Sequence, residues 1–600
     1  MKKAFSFLII LLLLCSSCPA LGDEAAQPQS SVTPEGFDIS DFDLTFSNRE
    51  LSGEWETRGL VTITGEGSTA GISGGSGAVL SDGVLSITKD GVYLITGTLT
   101  DVRIHIEVTK QEKVQLVLQD VQITNSTGPA IVIEEADKVF ITVPADATAT
   151  LSDAETYYGV AASEGWDGVI FSRADLCLNG SGTLNVTTSH KHGVVSKDDL
   201  VITGLTLNVT ASSTALDGKD CVKATGATIT VTAGTNGIRS NNDKDADRGF
   251  IYLKECNITI EAGNDAVEAE NALITEDTIL NILSGGGQTR SVRYAEVGSW
   301  KGLKAGDIRL SGGSCFIDSR DDAIHANRSI LITSGSYTLA SGDDGIHADK
   351  ALTIEGGDIH ITGSYEGLEA STLTIAGGQI DLTATDDGLN AAGSADSETM
   401  GNRFGRRMMS NGVGELIITG GYTLVKASGD GVDSNNSITV SGGVTLVSGP
   451  VSSGNAAFDY DGTAEVTGGV LIATGAGGMA QNFSDAQGQG AMLVTFSRSQ
   501  NSSLALLDAS GKALVSFTPA NPYQSVVITS PDIAQGQTYT LLSGGEAEGA
   551  DVNGFAQNAA ISGGTSIASV TMESLLYGSG GMGNRPGGGR PGGGGGWRGW

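Results

Sequence analysis

Apolar residues recur in this chain in short alternating runs rather than in helical stripes. Leu352-Thr353-Ile354 and Ile359-His360-Ile361, broken by Gly356-Gly357, are typical. Period-two alternation with β-branched residues and glycine-marked corners predicts short strands. A phrase punctuates the runs: Gly or Ala, an aliphatic residue, a polar residue, then Ala or Ser, often with an acid in front. It reads His192-Gly193-Val194-Val195-Ser196, Asp265-Ala266-Val267-Glu268-Ala269, Asp322-Ala323-Ile324-His325-Ala326, Asp344-Gly345-Ile346-His347-Ala348, Glu366-Gly367-Leu368-Glu369-Ala370 and Asp387-Gly388-Leu389-Asn390-Ala391. Its Gly/Ala stands at 193, 215, 237, 266, 302, 323, 345, 367, 388 and 431, mostly 21 or 22 residues apart. Longer gaps hold polar or Gly-rich inserts at 241–248, 285–299 and 394–414.

Three short strands per 22 residues predict one coil of an all-β solenoid, a right-handed parallel β-helix whose coils stack about 4.8 Å apart. The aliphatic residue and the Ala or Ser of each phrase would form inward ladders. The regular repeats are expected over 156–485, with irregular first coils and a β cap over 46–155 and a small β region over 490–575. Residues 23–45 read as a linker, and the Gly/Arg-rich 576–600 as a flexible extension.

Composition narrows the function. With 35 Lys+Arg against 69 Asp+Glu the net charge is −34, which argues against a nucleic-acid binder. Lys2-Lys3 followed by apolar Ala4 to Leu14 reads as a signal peptide over 1–22, too short to span a bilayer. The chain is therefore expected outside the cell, secreted or surface-bound, with a second cleavage option that would leave Cys18 as a lipid anchor. Cys177, Cys221, Cys256 and Cys315 stand singly in apolar runs, as core residues or as a disulfide between neighbouring coils.

Stacking turns isolated acids into files. The position before the phrase Gly/Ala is Asp322, Asp344, Glu366 and Asp387 in consecutive coils, with Asp321, Asp343 and Asp386 beside three of them. Carboxylates repeated about 5 Å apart repel one another. Calcium, which takes six to eight oxygens, would neutralise them, with Asp349 and Glu369 completing the sites. Asp217, Asp220, Asp265 and Glu268 form a second group. Each Asp-Asp-Gly is also ordinary turn chemistry, and Asp243 to Glu255 misses the EF-hand spacing by one residue. His325 and His347 fall at one phrase position in adjacent coils, as a satisfied ladder or a transition-metal pair. Trp166, Trp300 and Tyr365 precede phrase glycines, as loop packing or as a sugar-stacking wall.

The run from Ser299 to Gly393, with its Asp-Asp-Ala-Ile-His-Ala, Asp-Asp-Gly-Ile-His-Ala, Tyr-Glu-Gly-Leu-Glu-Ala and Asp-Asp-Gly-Leu-Asn-Ala phrases, resembles the bacterial extracellular carbohydrate-binding-domain family. The likeness extends over roughly residues 45–545. It implies a calcium-containing, pectate-lyase-like parallel β-helix that binds polygalacturonate. Ala323, Thr214-Ala215 and the insert Arg403 to Arg407 depart from the pattern. An acidic protein gripping an acidic polysaccharide needs a bridge, and calcium provides one. The expectation is a non-catalytic binder of pectin-like polysaccharide. The alternatives are a calcium-dependent lyase using Lys304, Lys350 or Lys219 as base, and a structural surface protein or adhesin.

Overall fold

The computed structural model describes residues 38–289, 298–392 and 413–578. The signal segment, Cys18, the Arg403 to Arg407 insert and the Gly/Arg tail lie outside them. Strands dominate, and they pair in parallel into three files, as the repeat arithmetic requires. One file runs through His192–Ser196, Leu216–Gly218 and Ile238–Ser240. A second runs through Asp199–Thr203, Cys221–Thr225 and Phe250–Lys254, and a third through Thr206–Ala211, Thr228–Ala233 and Asn257–Ala262. No helix among the described residues is long and apolar enough to cross a membrane.

The phrase sets the register of the first file. Val194, Leu216, Ile238, Val267, Leu303, Ile324, Ile346, Leu368, Leu389 and Val432 pair in unbroken succession, all fully buried. The inserts are thus looped out without shifting the ladder. The phrase glycine turns a crowded corner: a Cβ at Gly345 would stand 2.7 Å from the Gly367 carbonyl oxygen. Ala215, Ala266 and Ala323 occupy the same place fully buried, so the position takes nothing larger. The four cysteines are buried free thiols, Cys315 lying between Leu280 and Tyr337 in an inward ladder of the third file.

Both open ends of the coil stack are closed. Val61–Gly67 folds back on Thr69–Gly74 as an antiparallel hairpin at the start. At the other end Thr463–Gly475 and Gly490–Gln500 pair antiparallel with Tyr523–Ser530, and a separate five-stranded antiparallel sheet follows. Such closure removes the unpaired edges that invite aggregation.

The expected linker ends differently. Ile39, Phe42, Leu44 and Phe46 pack on the outer face of the second file, against Phe250, Tyr252 and Ile274. Lys223 donates to the Asp43 and Thr45 carbonyls. A short helix, Asn48–Leu51, follows, capped reciprocally by Ser47 and Glu50. Glu50 is buried and pairs with Lys138 at 2.8 Å, while Asn179 donates to the Arg49, Glu50 and Ser52 carbonyls. The segment is a strap across several coils.

Burial works against the charge on Glu50, but Lys138 and Ser47 outweigh it and hold the carboxyl below its usual range. The strap's electrostatic contribution is therefore present at neutral pH and is lost as pH falls through that lowered value. Glu50→Gln removes one of the two carboxylates facing the Lys138 ammonium, Asp175 remaining 3.2 Å away, and should cost about 2 kcal/mol at pH 7, read as a drop in the urea midpoint. The gap from wild type should close in acid. An unchanged midpoint at pH 7 would mean the strap does not stabilise the coils.

Candidate functional site

On the first file the residue after each aliphatic faces outward. That column reads Asp217, Arg239, Glu268, Lys304, His325, His347, Glu369, Asn390 and Asp433. Its first half alternates in charge. Arg239 grips both oxygens of Asp217 at 3.2 and 2.9 Å, and Lys304 lies 3.3 Å from Glu268 and 3.5 Å from Asp265. Asp220 accepts from Asn242 and lies 3.6 Å from Arg248. The second acid group expected to hold calcium thus has basic side chains threaded through it.

The acids before the phrase Gly/Ala form a neighbouring column with a structural duty. One oxygen of four aspartates in it accepts the backbone N–H of the same position one coil on. Asp322 takes Asp344, Asp344 takes Glu366, Asp387 takes Asp430 and Asp430 takes Ala456, at 2.5–3.2 Å. The other oxygen turns toward the outward column. Asp322 Oδ2 meets His325 Nδ1 at 2.9 Å, and Asp344 Oδ2 meets His347 Nδ1 at 3.1 Å.

The two imidazoles stack, centroids 4.9 Å apart and planes 23° apart, and both are buried. Asn327 and Asp349 meet their Nε2 atoms at 3.1 and 3.2 Å, and Glu369 adds a second carboxylate 2.9 Å from His347 Nδ1. Burial opposes protonation of His347, yet Asp344, Asp349 and Glu369 outweigh it and push its pKa well above the ordinary value. These carboxylates favour the protonated form of the ring. Burial likewise opposes the charge on Asp322, but Lys301, His325 and His347 hold its carboxyl well below the usual range. Asp344 is driven the other way by burial, with Asp322, Asp343 and Glu369 adding to it. Glu366 is raised by burial and then by Glu369 and Asp344, while accepting from Asn390 at 2.6 Å.

Four convergent groups in this region differ in chemistry, each bringing one atom per residue within 4.8 Å of the others. Asp322 with His325 and His347, and Asp344 with His347 and Glu369, mix imidazole nitrogen with oxygen, a set that suits transition metals. Asp321, Asp322 and Asp343 are all oxygen, but the Lys301 ammonium sits among them, 2.6 Å from Asp322 and 3.2 Å from Asp321. Asp387, Asp430 and Asp433 are also all oxygen. Burial raises Asp433 well above the usual range, and Asp387, Asp430, Asp459 and Asp461 add to the shift. Asp386 stands beside this group at the corner, half-buried.

Asp430, Asp433, Asp459 and Asp461 were not singled out from sequence, although Asp430-Gly431-Val432-Asp433-Ser434 is a phrase in register 43 residues beyond Gly388. Asp198 was also missed. It converges with Asp175 and Asp199, and burial together with those acids and Asp220 raises it to about 6. Of the aromatic residues, Trp166 is buried under the first coils and donates to Glu134 at 2.7 Å. Trp300 is half-buried beneath the Arg320 guanidinium, 4.2 Å from its ring, and Tyr365 is half-buried at the corner beside Glu366. Trp166 is thus withdrawn from solvent, while Trp300 and Tyr365 each stand two residues before a phrase glycine. Among the lysines proposed as bases, burial opposes the charge on Lys304 but Asp265 and Glu268 prevail and keep it protonated. Lys219 is half-buried and Lys350 is exposed.

Within a solved structure of the polysaccharide lyase-like protein from C. thermocellum, as its gadolinium derivative, the alignment covers 96% of that chain and 49% of this one, at 24% identity and a TM-score of 0.35. A carbohydrate-binding domain-containing protein of Acetivibrio thermocellus is 31% identical over 196 residues, spanning 32% of this chain and 68% of that protein. The family pattern described as carbohydrate-binding domain-containing protein matches residues 81–345 and 343–510, which takes in the phrase ladder and both acid columns. The chain belongs to the carbohydrate-binding domain-containing protein family.

Proposed function

We propose that this protein acts outside the cell as a non-catalytic binder of acidic, pectin-like polysaccharide, and that calcium held at Asp387, Asp430 and Asp433 joins it to the polymer. The observation that carries the calcium reading is the convergence of three carboxylate oxygens with no histidine in the set, the donor chemistry a hard cation takes. When bound, calcium supplies positive charge that protein and uronate carboxylates share. The chain's own residues prepare the place. Asp387 and Asp430 are fixed by the N–H groups they cap, and Asp433 projects from the adjacent outward column. The non-catalytic part draws support from Lys304, since a lysine kept protonated by two acids is a poor proton acceptor.

Calcium at a hundred times its dissociation constant should stabilise the fold by ~2.7 kcal/mol. Asp433→Asn removes a buried acid from a crowded group and one oxygen from the set, so it should not lower the melting temperature in chelator and should shrink the calcium-induced rise. A lost ligand should weaken calcium binding by at least the roughly tenfold that outer partners already cost. Calcium stabilisation undiminished in Asp433→Asn would contradict the assignment.

The polymer is tested by co-sedimentation with polygalacturonate in calcium and in chelator, following the ultraviolet absorbance of unsaturated uronate products. Retention only with calcium and a flat absorbance trace are expected. Rising absorbance would make the protein a lyase, with Lys350 the first residue to replace. No retention in either buffer would remove the pectin reading.

A further inference from the structure

Far from the acid columns, in the irregular first coils, a basic side chain is buried without a partner. Arg103 opens the strand Arg103–Glu107 and is only 9% exposed. Among the described residues its guanidinium makes no ion pair, and Nε has no hydrogen-bond partner. Its one contact of note is with the face of Trp166, 4.9 Å from the ring. Trp166 is itself fixed by Glu134, and His105 meets it edge-on at 6.0 Å. Burial pulls the Arg103 pKa down, with no acid offsetting it. A buried cation without a counter-charge is costly, so such groups are ordinarily paired.

Arg103 lines a hollow of about 410 Å³ shared with Asp82, Asp101, Asn125, Thr127 and Tyr158. That size lies within the roughly 300–1,000 Å³ of small-ligand pockets. The wall is held by local bonds. Asp101 accepts from the Ser126 N–H at 3.1 Å, and Asn125 bonds to the Pro129 carbonyl and to Thr127. Tyr158 stands 63% exposed at the rim, tied through its N–H to the Thr127 carbonyl. An exposed aromatic face beside hydroxyl acceptors suits a pyranose ring, and a guanidinium recognises a carboxylate through two parallel N–H donors.

We propose that this hollow is a subsite for one uronate unit, its carboxylate paired with Arg103, its ring against Tyr158 and its hydroxyls directed to Asp82 and Asp101. The subsite rests on the carbohydrate-binding reading but uses no calcium, so its failure and that of the acid columns are separable.

The test is calorimetric titration of the full chain with sodium galacturonate in chelator, against galactose and acetate. Galacturonate should bind at least tenfold more tightly than either. Arg103→Met should abolish that preference while leaving calcium-dependent retention on polygalacturonate intact, and Arg103→Lys should retain part of it. Tyr158→Ala, an exposed change, should weaken galacturonate severalfold without moving the melting temperature, and it decides the matter if Arg103→Met does not fold. Galacturonate binding no better than galactose or acetate, binding seen only with calcium, or binding unchanged in both Arg103→Lys and Tyr158→Ala would overturn the proposal.

Discussion

A residue at a fixed place in a coil meets its counterpart one strand spacing away, about 5 Å. The rest of the structure depends on that constraint. For aliphatic residues the repetition is favourable, and the ladder from Val194 to Val432 is the result. For carboxylates it is unfavourable, because repeated like charges in a partly buried column raise one another's free energy. The chain nonetheless keeps acids at the corner in coil after coil.

Two devices make the column tolerable. Each corner aspartate gives one oxygen to the N–H of the next coil, so it serves the backbone as a cap as well as carrying charge. Basic side chains are also threaded through the outward column: Arg239 and Lys304 early, then His347 with three carboxylates around it. Past Glu369 that column continues as Asn390 and Asp433, and Asp433 converges there with Asp387 and Asp430. The column thus changes in composition along its length, from alternating acids and bases to Asn390 and Asp433.

Much of this was legible in the sequence. The phrase fixes the aliphatic ladder because its spacing is close to a coil's length, and inserts loop out without disturbing it. The stacking of Asp322, Asp344, Glu366 and Asp387 follows from the same arithmetic. What sequence alone did not give was which charges meet across the inserts. Glu268 pairs with Lys304 only because the 36-residue gap between them returns to the same register. Asp433 lay beyond the longest gap. Trp166 precedes a glycine as Trp300 does, yet burial beneath the first coils removes its face from solvent. Arg103 sits where no phrase recurs, so nothing in the spacing marked it. The docked strap over 38–52 has too short an apolar pattern to distinguish it from a linker.

The central claim is that the far end of the acid column is an all-oxygen calcium site. Anomalous diffraction from crystals grown with calcium tests it most directly. The account predicts a calcium peak bounded by Asp387, Asp430 and Asp433. Calcium found elsewhere on the coils with none among these three residues would contradict it.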